Sequence, residues 1–176
     1  MGLGLTAAGA CCVVGGSTGW GLLVARQIRR RPAELGRLAA ALEALRTEVE
    51  YGRTPLPAAL RRSAAGDRGP AGALFCAAAA QLEAGGGASA SEAWEAGLGA
   101  AQDRSAWSAS DVEGLRRLGH ALGASDAQDQ VRHLRLAVSR LRAAEGEASA
   151  VAERQARMWS YLGVLAGVAV VLAVLP

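Results

Sequence analysis

The segment RPAELGRLAAALEALRTEVEYGRTPL, residues 31–56, decides the fold class of this chain. Apolar side chains recur in it at steps of three and four residues, which places them along one face of an α-helix. This stripe consists of Leu35, Leu38, Leu42, Leu45 and Val49. Pro32 suits the first turn of such a helix, and Tyr51-Gly52 predicts its end.

The same helical pattern continues to about residue 157. The start signals of the later helices are Thr54-Pro55, Pro70, the capping-box pairs Ser89/Glu92 and Ser110/Glu113, and Ser125 or Asp126. Their stop signals are the polar loop from Gly66 to Gly69, the three glycines at 85–87, and Gly123. No segment alternates with period two for long enough to form a strand. We therefore predict an all-α fold, a six-helix antiparallel bundle over residues 26–157.

The composition excludes several classes of function. All 19 basic residues are arginine and the net charge is only +3, with arginines alternating with glutamates along the helices as on a solvated face. We therefore expect no nucleic-acid binding. The three cysteines form no zinc-binding pattern and no disulfide framework, and Cys76 is expected to be a small core residue.

Each end of the chain carries an uncharged apolar run. Residues 1–25 and 158–176 are long enough to cross a bilayer, and we predict a transmembrane helix in each. A cleaved signal peptide is the alternative for the first run, although it lacks a basic residue ahead of it. No stop signal separates the sixth helix from the second run, so one helix is expected to continue from the bundle into the membrane.

Arginines flank the inner side of both runs. They are Arg26, Arg29, Arg30 and Arg31 after the first run and Arg154 and Arg157 before the second. Positive residues stay on the cytoplasmic side, so the bundle is expected in the cytoplasm and both termini outside it. Each run also contains two glycines four residues apart, which permit close helix packing: Gly15 with Gly19, and Gly163 with Gly167.

The sequence offers no constellation for catalysis. His120 and His133 lie beside arginines on helices, and no phosphate-binding or dinucleotide-binding fingerprint occurs. We expect no enzyme activity, no cofactor and no metal. Two turn motifs are the remaining candidates, either as helix ends alone or as a partner-binding surface. Their residues are Tyr51, Gly52, Arg53, Thr54, Pro55, Gly123, Asp126 and Gln130.

These motifs also carry a family resemblance. GSTGWGLLVARQIRRRP at 16–32, YGRTPL at 51–56, SEAWEAGL at 91–98, LGASDAQDQ at 122–130 and LGVLAG at 162–167 resemble the stage III sporulation protein AB family in content and order. The resemblance covers nearly the whole chain. It departs from relatives in using arginine where they often carry lysine, and in a glycine- and alanine-rich region at 64–73.

The resemblance implies a membrane component of the channel that links the mother cell to the forespore. It also implies a six-helix soluble part similar to a cytoplasmic domain of type II secretion and type IV pilus platform proteins. The implied partners are the secretion-type ATPase of the same operon, the other membrane proteins of the channel and the lipid bilayer of the mother-cell membrane, and a homo-oligomer is expected. The alternatives are a regulatory membrane anchor that recruits one soluble partner and, third, a membrane enzyme.

Overall fold

The computed structural model describes residues 29–51, 54–124 and 127–174. These residues form six helices and contain no strand, which confirms the all-α prediction for the described part of the chain. The helices are α1 (29–51), α2 (Leu56–Ser63), α3 (Pro70–Glu83), α4 (Ala90–Gln102), α5 (Ala109–Ala124) and α6 (Ala127–Val174). Residues 31–146 form one compact unit, and the described residues from Glu147 onward belong to a second.

The predicted apolar stripe on α1 forms part of the buried core of the first unit. Leu35, Leu38, Leu42 and Leu45 are completely buried, whereas Val49, near the helix end, is half-buried. A fully buried leucine contributes about 1.5–3 kcal/mol of hydrophobic stabilisation, so this stripe anchors the bundle. The periodicity of the opening segment was therefore sufficient to identify its buried face.

Helix α4 packs against both of its neighbours in the chain, α3 and α5. Trp94 on α4 is 1% exposed, donates its indole N–H to the Leu115 carbonyl of α5 at 2.8 Å, and meets Phe75 of α3 edge-on at 5.5 Å between ring centroids. Gly97 allows α3 and α4 to approach closely, because a Cβ there would lie 2.5 Å from the Leu74 carbonyl oxygen. The burial of Trp94 and Leu98 is confirmed.

The predicted capping box of α4 is confirmed, whereas that of α5 is wrong by two residues. Ser89 and Glu92 exchange both hydrogen bonds, at 2.7 and 3.2 Å. In α5 the reciprocal pair is Ser108 and Asp111, not Ser110 and Glu113. Asp111 is favoured because Arg31 of α1 reaches it at 3.0 Å, a contact that Glu113 does not make.

Two other helix boundaries differ slightly from prediction. The N-cap of α2 is Pro55 rather than Thr54, so that Pro57 occupies the first turn. Helix α5 extends to Ala124, which places Gly123 inside its last turn rather than after it. Such shifts of one residue are typical of frayed helix ends. The proposed caps of α6, Ser125 and Asp126, lie outside the described residues.

Helix α6 runs without interruption for 48 residues, as the missing stop signal predicted. At 1.5 Å per residue it is about 72 Å long. Among the residues that the structure describes, no helix is both long and apolar enough to cross a membrane. The span predicted at 1–25, with Gly15 and Gly19, lies outside the described residues. In the run predicted to be a span at 158–176, the backbone is helical to Val174. The side chains after Trp159 are not among those described, and neither are the surroundings of the predicted packing pair, Gly163 and Gly167.

Two side chains predicted to be internal are exposed. Cys76 lies on the outer face of α3 as a free thiol, because the buried face of that helix is formed by Leu74, Phe75 and Ala78. The periodicity of the sixth helix predicts that Ala144, Ala148 and Val151 continue its buried stripe, but Val151 is exposed. In an alanine-rich helix several faces are almost equally apolar, so the pattern alone did not select the buried one.

Candidate functional site

Tyr51 and Gln130, which belong to the two predicted turn motifs, lie where α1 ends and where α6 begins. Helix α1 ends at Tyr51, and the adjacent Glu50 is joined to Arg135 of α6 at 3.3 Å. Nearer the start of α1, Gly36 lies against Glu145 of α6. Because the earlier residue of α1 contacts the later residue of α6, the two helices run antiparallel. The end of α1 and the start of α6 therefore lie side by side. We call the surface formed by Glu50, Tyr51, Gln130 and Arg135 the end surface.

An ion-pair network fixes this surface. Glu50 lies between Arg46, at 3.5 Å, and Arg135, at 3.3 Å, and Arg46 also contacts Glu43 at 2.6 Å. Single exposed ion pairs contribute little, about 0–1 kcal/mol, but a connected set restrains several side chains together. The network therefore holds the end of α1 against α6 in a defined register.

Tyr51 projects from this fixed base. It is 80% exposed, the highest value among the large apolar side chains described. Tyrosine supplies a large, amphipathic contact area with few rotatable bonds, and it is enriched among the residues that dominate protein interfaces. Tyr51 is therefore a candidate contact residue for a protein partner.

The other candidate residues divide between structural roles and positions outside the description. The Gln130 amide donates to the Leu122 carbonyl at 3.1 Å and so closes the end of α5. Thr54 is half-buried and Pro55 exposed beside the start of α2, whereas Gly123 lies within the last turn of α5. Gly52, Arg53 and Asp126 lie outside the described residues. The structure therefore brings Tyr51 and Gln130 to one end of the unit.

The two histidines lie in different surroundings. His120 is exposed, and its Nδ1 lies 3.1 Å from the Ser91 hydroxyl. His133 is half-buried between α5 and α6. Within the described ranges no group of three or more metal-ligating side chains converges.

A second set of polar contacts was missed by the sequence analysis. Arg31 of α1 donates to Ser108 at 3.2 Å and to Asp111 at 3.0 Å, and buried Glu34 accepts from the Ala106 N–H at 2.7 Å. We call Arg31 and Glu34 the α1 clamp, because they hold the loop between α4 and α5. The only sequence signal was a glutamate adjacent to the buried stripe of α1.

The α1 clamp also changes the titration of Asp111. Burial raises the pKa of this carboxyl, but hydrogen bonds from Ser108 and Arg31, together with the Arg31 charge, outweigh that effect. The net pKa of Asp111 is therefore below its ordinary value. The clamp is a structural element that fixes the start of α5.

A groove of about 370 Å³ between α5 and α6 was missed as well. Its apolar lining comes from Leu115 and Leu118 of α5 and from Leu136 and Leu141 of α6. Leu136 is 48% exposed and lies off the predicted stripe of Val131, Leu134, Val138 and Leu141. That out-of-phase leucine was the signal that could have indicated a second apolar face on α6.

Comparison with known proteins gives a consistent result. The sequence model of the family described as stage III sporulation protein AB matches residues 6–175. The chain is similar to stage III sporulation protein AB of Bacillus subtilis (strain 168), with 35% identity over 164 residues, which cover 93% of this chain and 95% of the relative. A solved structure of stage III sporulation protein AB superposes with a TM-score of 0.66 at 35% identity, covering 70% of this chain and 97% of that one.

Proposed function

Because the chain belongs to the stage III sporulation protein AB family, we propose that it is a membrane-anchored platform subunit of a channel complex between mother cell and forespore. In this proposal the bundle couples a cytoplasmic secretion-type ATPase to the membrane assembly. The subunit works as a non-catalytic scaffold within an oligomer. It resides in the mother-cell membrane with the bundle in the cytoplasm and both termini on the other side.

The end surface is the single observation that carries the coupling role. Tyr51 is largely exposed, and the Glu50–Arg46–Arg135 network restrains the helix end from which it projects. A force-transmitting contact needs an anchor that is ordered before binding, because ordering it during binding would reduce the affinity. The exposed aromatic side chain would supply contact area, and the neighbouring charges would orient the partner.

The proposed anchorage is supported by the two uncharged terminal runs and by the arginines on their inner flanks. Helix α6 also includes residues 158–174 of the second of these runs, and no stop signal in the sequence separates that run from the bundle.

The test is co-purification of the tagged full-length chain from sporulating cells in a mild detergent. The proposal predicts a multi-subunit membrane complex that contains the ATPase. Tyr51→Ala should reduce the amount of ATPase that co-purifies at least tenfold, because truncating an interface hot spot costs about 2 kcal/mol or more of binding free energy. Gln81→Ala, an exposed change on α3, is the matched control and should retain the complex.

Two outcomes would contradict the proposal. Recovery of one soluble partner without other membrane proteins would favour the regulatory anchor instead. Release of the full-length chain from membranes by alkaline carbonate would remove the anchorage itself. Circular dichroism of the Tyr51→Ala protein, compared with wild type, separates loss of binding from loss of folding.

A further inference from the structure

We propose that the groove between α5 and α6 binds an acidic amphipathic helix of a partner protein, at a site separate from the end surface. The lining residues that matter are Leu118, Leu136, Arg117 and Arg140, with His133 in the same wall as Leu136. The inference rests on the shape of the groove, its apolar floor and its uncompensated positive charge.

The shape fits a helix. The α5 lining extends from Ser110 to Leu118 and the α6 lining from His133 to Leu141, which is eight residue steps on each side. At 1.5 Å per residue the groove is about 12 Å long, or roughly two helical turns. A helix docked in such a groove contributes apolar anchors at positions i, i+3 or i+4, and i+7.

The floor is apolar and incompletely covered. Leu115, Leu118 and Leu141 are buried at its base, whereas Leu136 remains 48% exposed on the α6 wall. Covering Leu136 removes apolar surface from water, which favours binding by about 25 cal/mol for each Å² buried. The groove volume, about 370 Å³, accommodates apolar side chains of a docked segment rather than a folded domain.

The charge on the walls selects an acidic occupant. Arg117 on α5 and Arg140 on α6 are exposed, and neither forms an ion pair with a carboxylate in the described part of the chain. Neighbouring arginines do form such pairs: Arg116 with Glu95 and Glu113, and Arg142 with Glu145. The one acidic side chain at the groove, Asp111, is already engaged by Arg31.

The groove and the Arg135 side of the end surface use different faces of α6. With 100° of rotation per residue, His133, Leu136, Ala137 and Arg140 lie within one arc, whereas Arg135, which binds Glu50, lies on the opposite side. Gln130 of the end surface lies on the groove side of the helix, three residues before His133. A partner helix in the groove therefore leaves the Arg135 side of the end surface accessible. The proposed platform subunit would bind two partners at once through the same helix.

A second cleft in the same unit provides a matched control. Arg37 and Arg68 are exposed beside it and, like Arg117 and Arg140, have no carboxylate partner among the described residues. Its lining contains alanine, glycine, serine and Asp67 but no leucine. Reversing these two arginines changes the net charge of the chain by the same amount without altering the proposed site.

The experiment is photocrosslinking of the full-length chain in its own sporulating cells, with p-benzoylphenylalanine in place of Leu136. The expected result is a crosslink to one protein, mapped by mass spectrometry to a segment with carboxylates beside an apolar helical stripe. The double change Arg117→Glu and Arg140→Glu should reduce the yield of this crosslinked product at least tenfold. Arg37→Glu with Arg68→Glu should leave it within twofold, and the same photoreactive residue at Gln81 should not give the product.

Charge exchange completes the test. Reversal of the mapped carboxylates to arginine should restore the crosslink in the Arg117→Glu/Arg140→Glu background. If that pair of changes lowers the melting temperature, Arg117→Gln with Arg140→Gln replaces it. The proposal is overturned if no crosslink forms, or if the crosslink is to lipid, to a second copy of this chain or to a segment without carboxylates. It is also overturned if the yield of crosslinked product does not change when the charges of Arg117 and Arg140 are reversed.

Discussion

Two buried tryptophans in the bundle differ in one respect that stability measurements detect. Trp94 is 1% exposed and its indole N–H donates to the Leu115 carbonyl at 2.8 Å. Trp107 is 9% exposed, and its indole N–H is buried without an acceptor among the described residues. Replacement by phenylalanine removes the same atoms at both positions but breaks a hydrogen bond at only one.

The expected magnitudes follow from this difference. Either replacement loses about 1–2 kcal/mol through reduced burial and a small cavity. Trp94→Phe also loses a hydrogen bond of about 0.5–1.5 kcal/mol, for a total of about 1.5–3.5 kcal/mol. Trp107→Phe removes an unsatisfied donor that costs about 1–3 kcal/mol, which offsets most of the loss. We therefore expect about 0–1 kcal/mol there.

The assay is thermal unfolding of the detergent-solubilised full-length chain, followed by circular dichroism at 222 nm. At about 4 °C per kcal/mol for a bundle of this size, Trp94→Phe should lower the melting temperature by about 6–14 °C and Trp107→Phe by less than about 4 °C. Trp159→Phe is the surface control, since Trp159 is 43% exposed, and should change it by no more than about 2 °C. A loss for Trp107→Phe that equals or exceeds the loss for Trp94→Phe would refute the reasoning.

Three further predictions concern local features of the bundle. Gly97→Ala should destabilise the bundle by about 1–3 kcal/mol in urea unfolding, because the added Cβ meets the Leu74 carbonyl. Gly99→Ala, whose added Cβ has no atom within 4 Å, should stabilise it by about 0.5–1 kcal/mol. Equal effects of the two changes would exclude the close contact at Gly97. Asp111→Asn should cost about 1–2 kcal/mol at pH 7. Folding lowers the pKa of Asp111, so the stabilisation that its carboxylate provides is complete above the ordinary carboxyl pKa of about 4 and is lost as the pH falls below that value. The stability–pH curves of the wild type and of Asp111→Asn should therefore converge in acid. A constant offset between the two curves would argue against an ionic role for Asp111. Ser89→Ala should cost about 1 kcal/mol by removing the α4 cap, and no change in the urea midpoint would contradict the capping box.

The candidate site was partly predictable. YGRTPL and LGASDAQDQ were recognised as helix ends, and an antiparallel bundle already implies that α1 ends where α6 begins. The sequence did not reveal that Glu50 joins Arg46 to Arg135, because a glutamate on an exposed helix face has several arginines within reach. It also missed the α5–α6 groove, because the stripe of α6 was assigned to one face only.

Sequence alone determined the features that depend on neighbours in the chain. The leucine stripe of α1, the Ser89/Glu92 box and the glycine and proline punctuation are local, and steric and hydrogen-bonding rules within a few residues fix them. Tertiary structure decided the rest. Arg31 selects Asp111 from 80 residues away, and Glu34 holds Ala106 from 72 residues away. Such pairs form only after the helices have packed, since burial then fixes which polar groups must find a partner, and no periodicity in the chain encodes that choice.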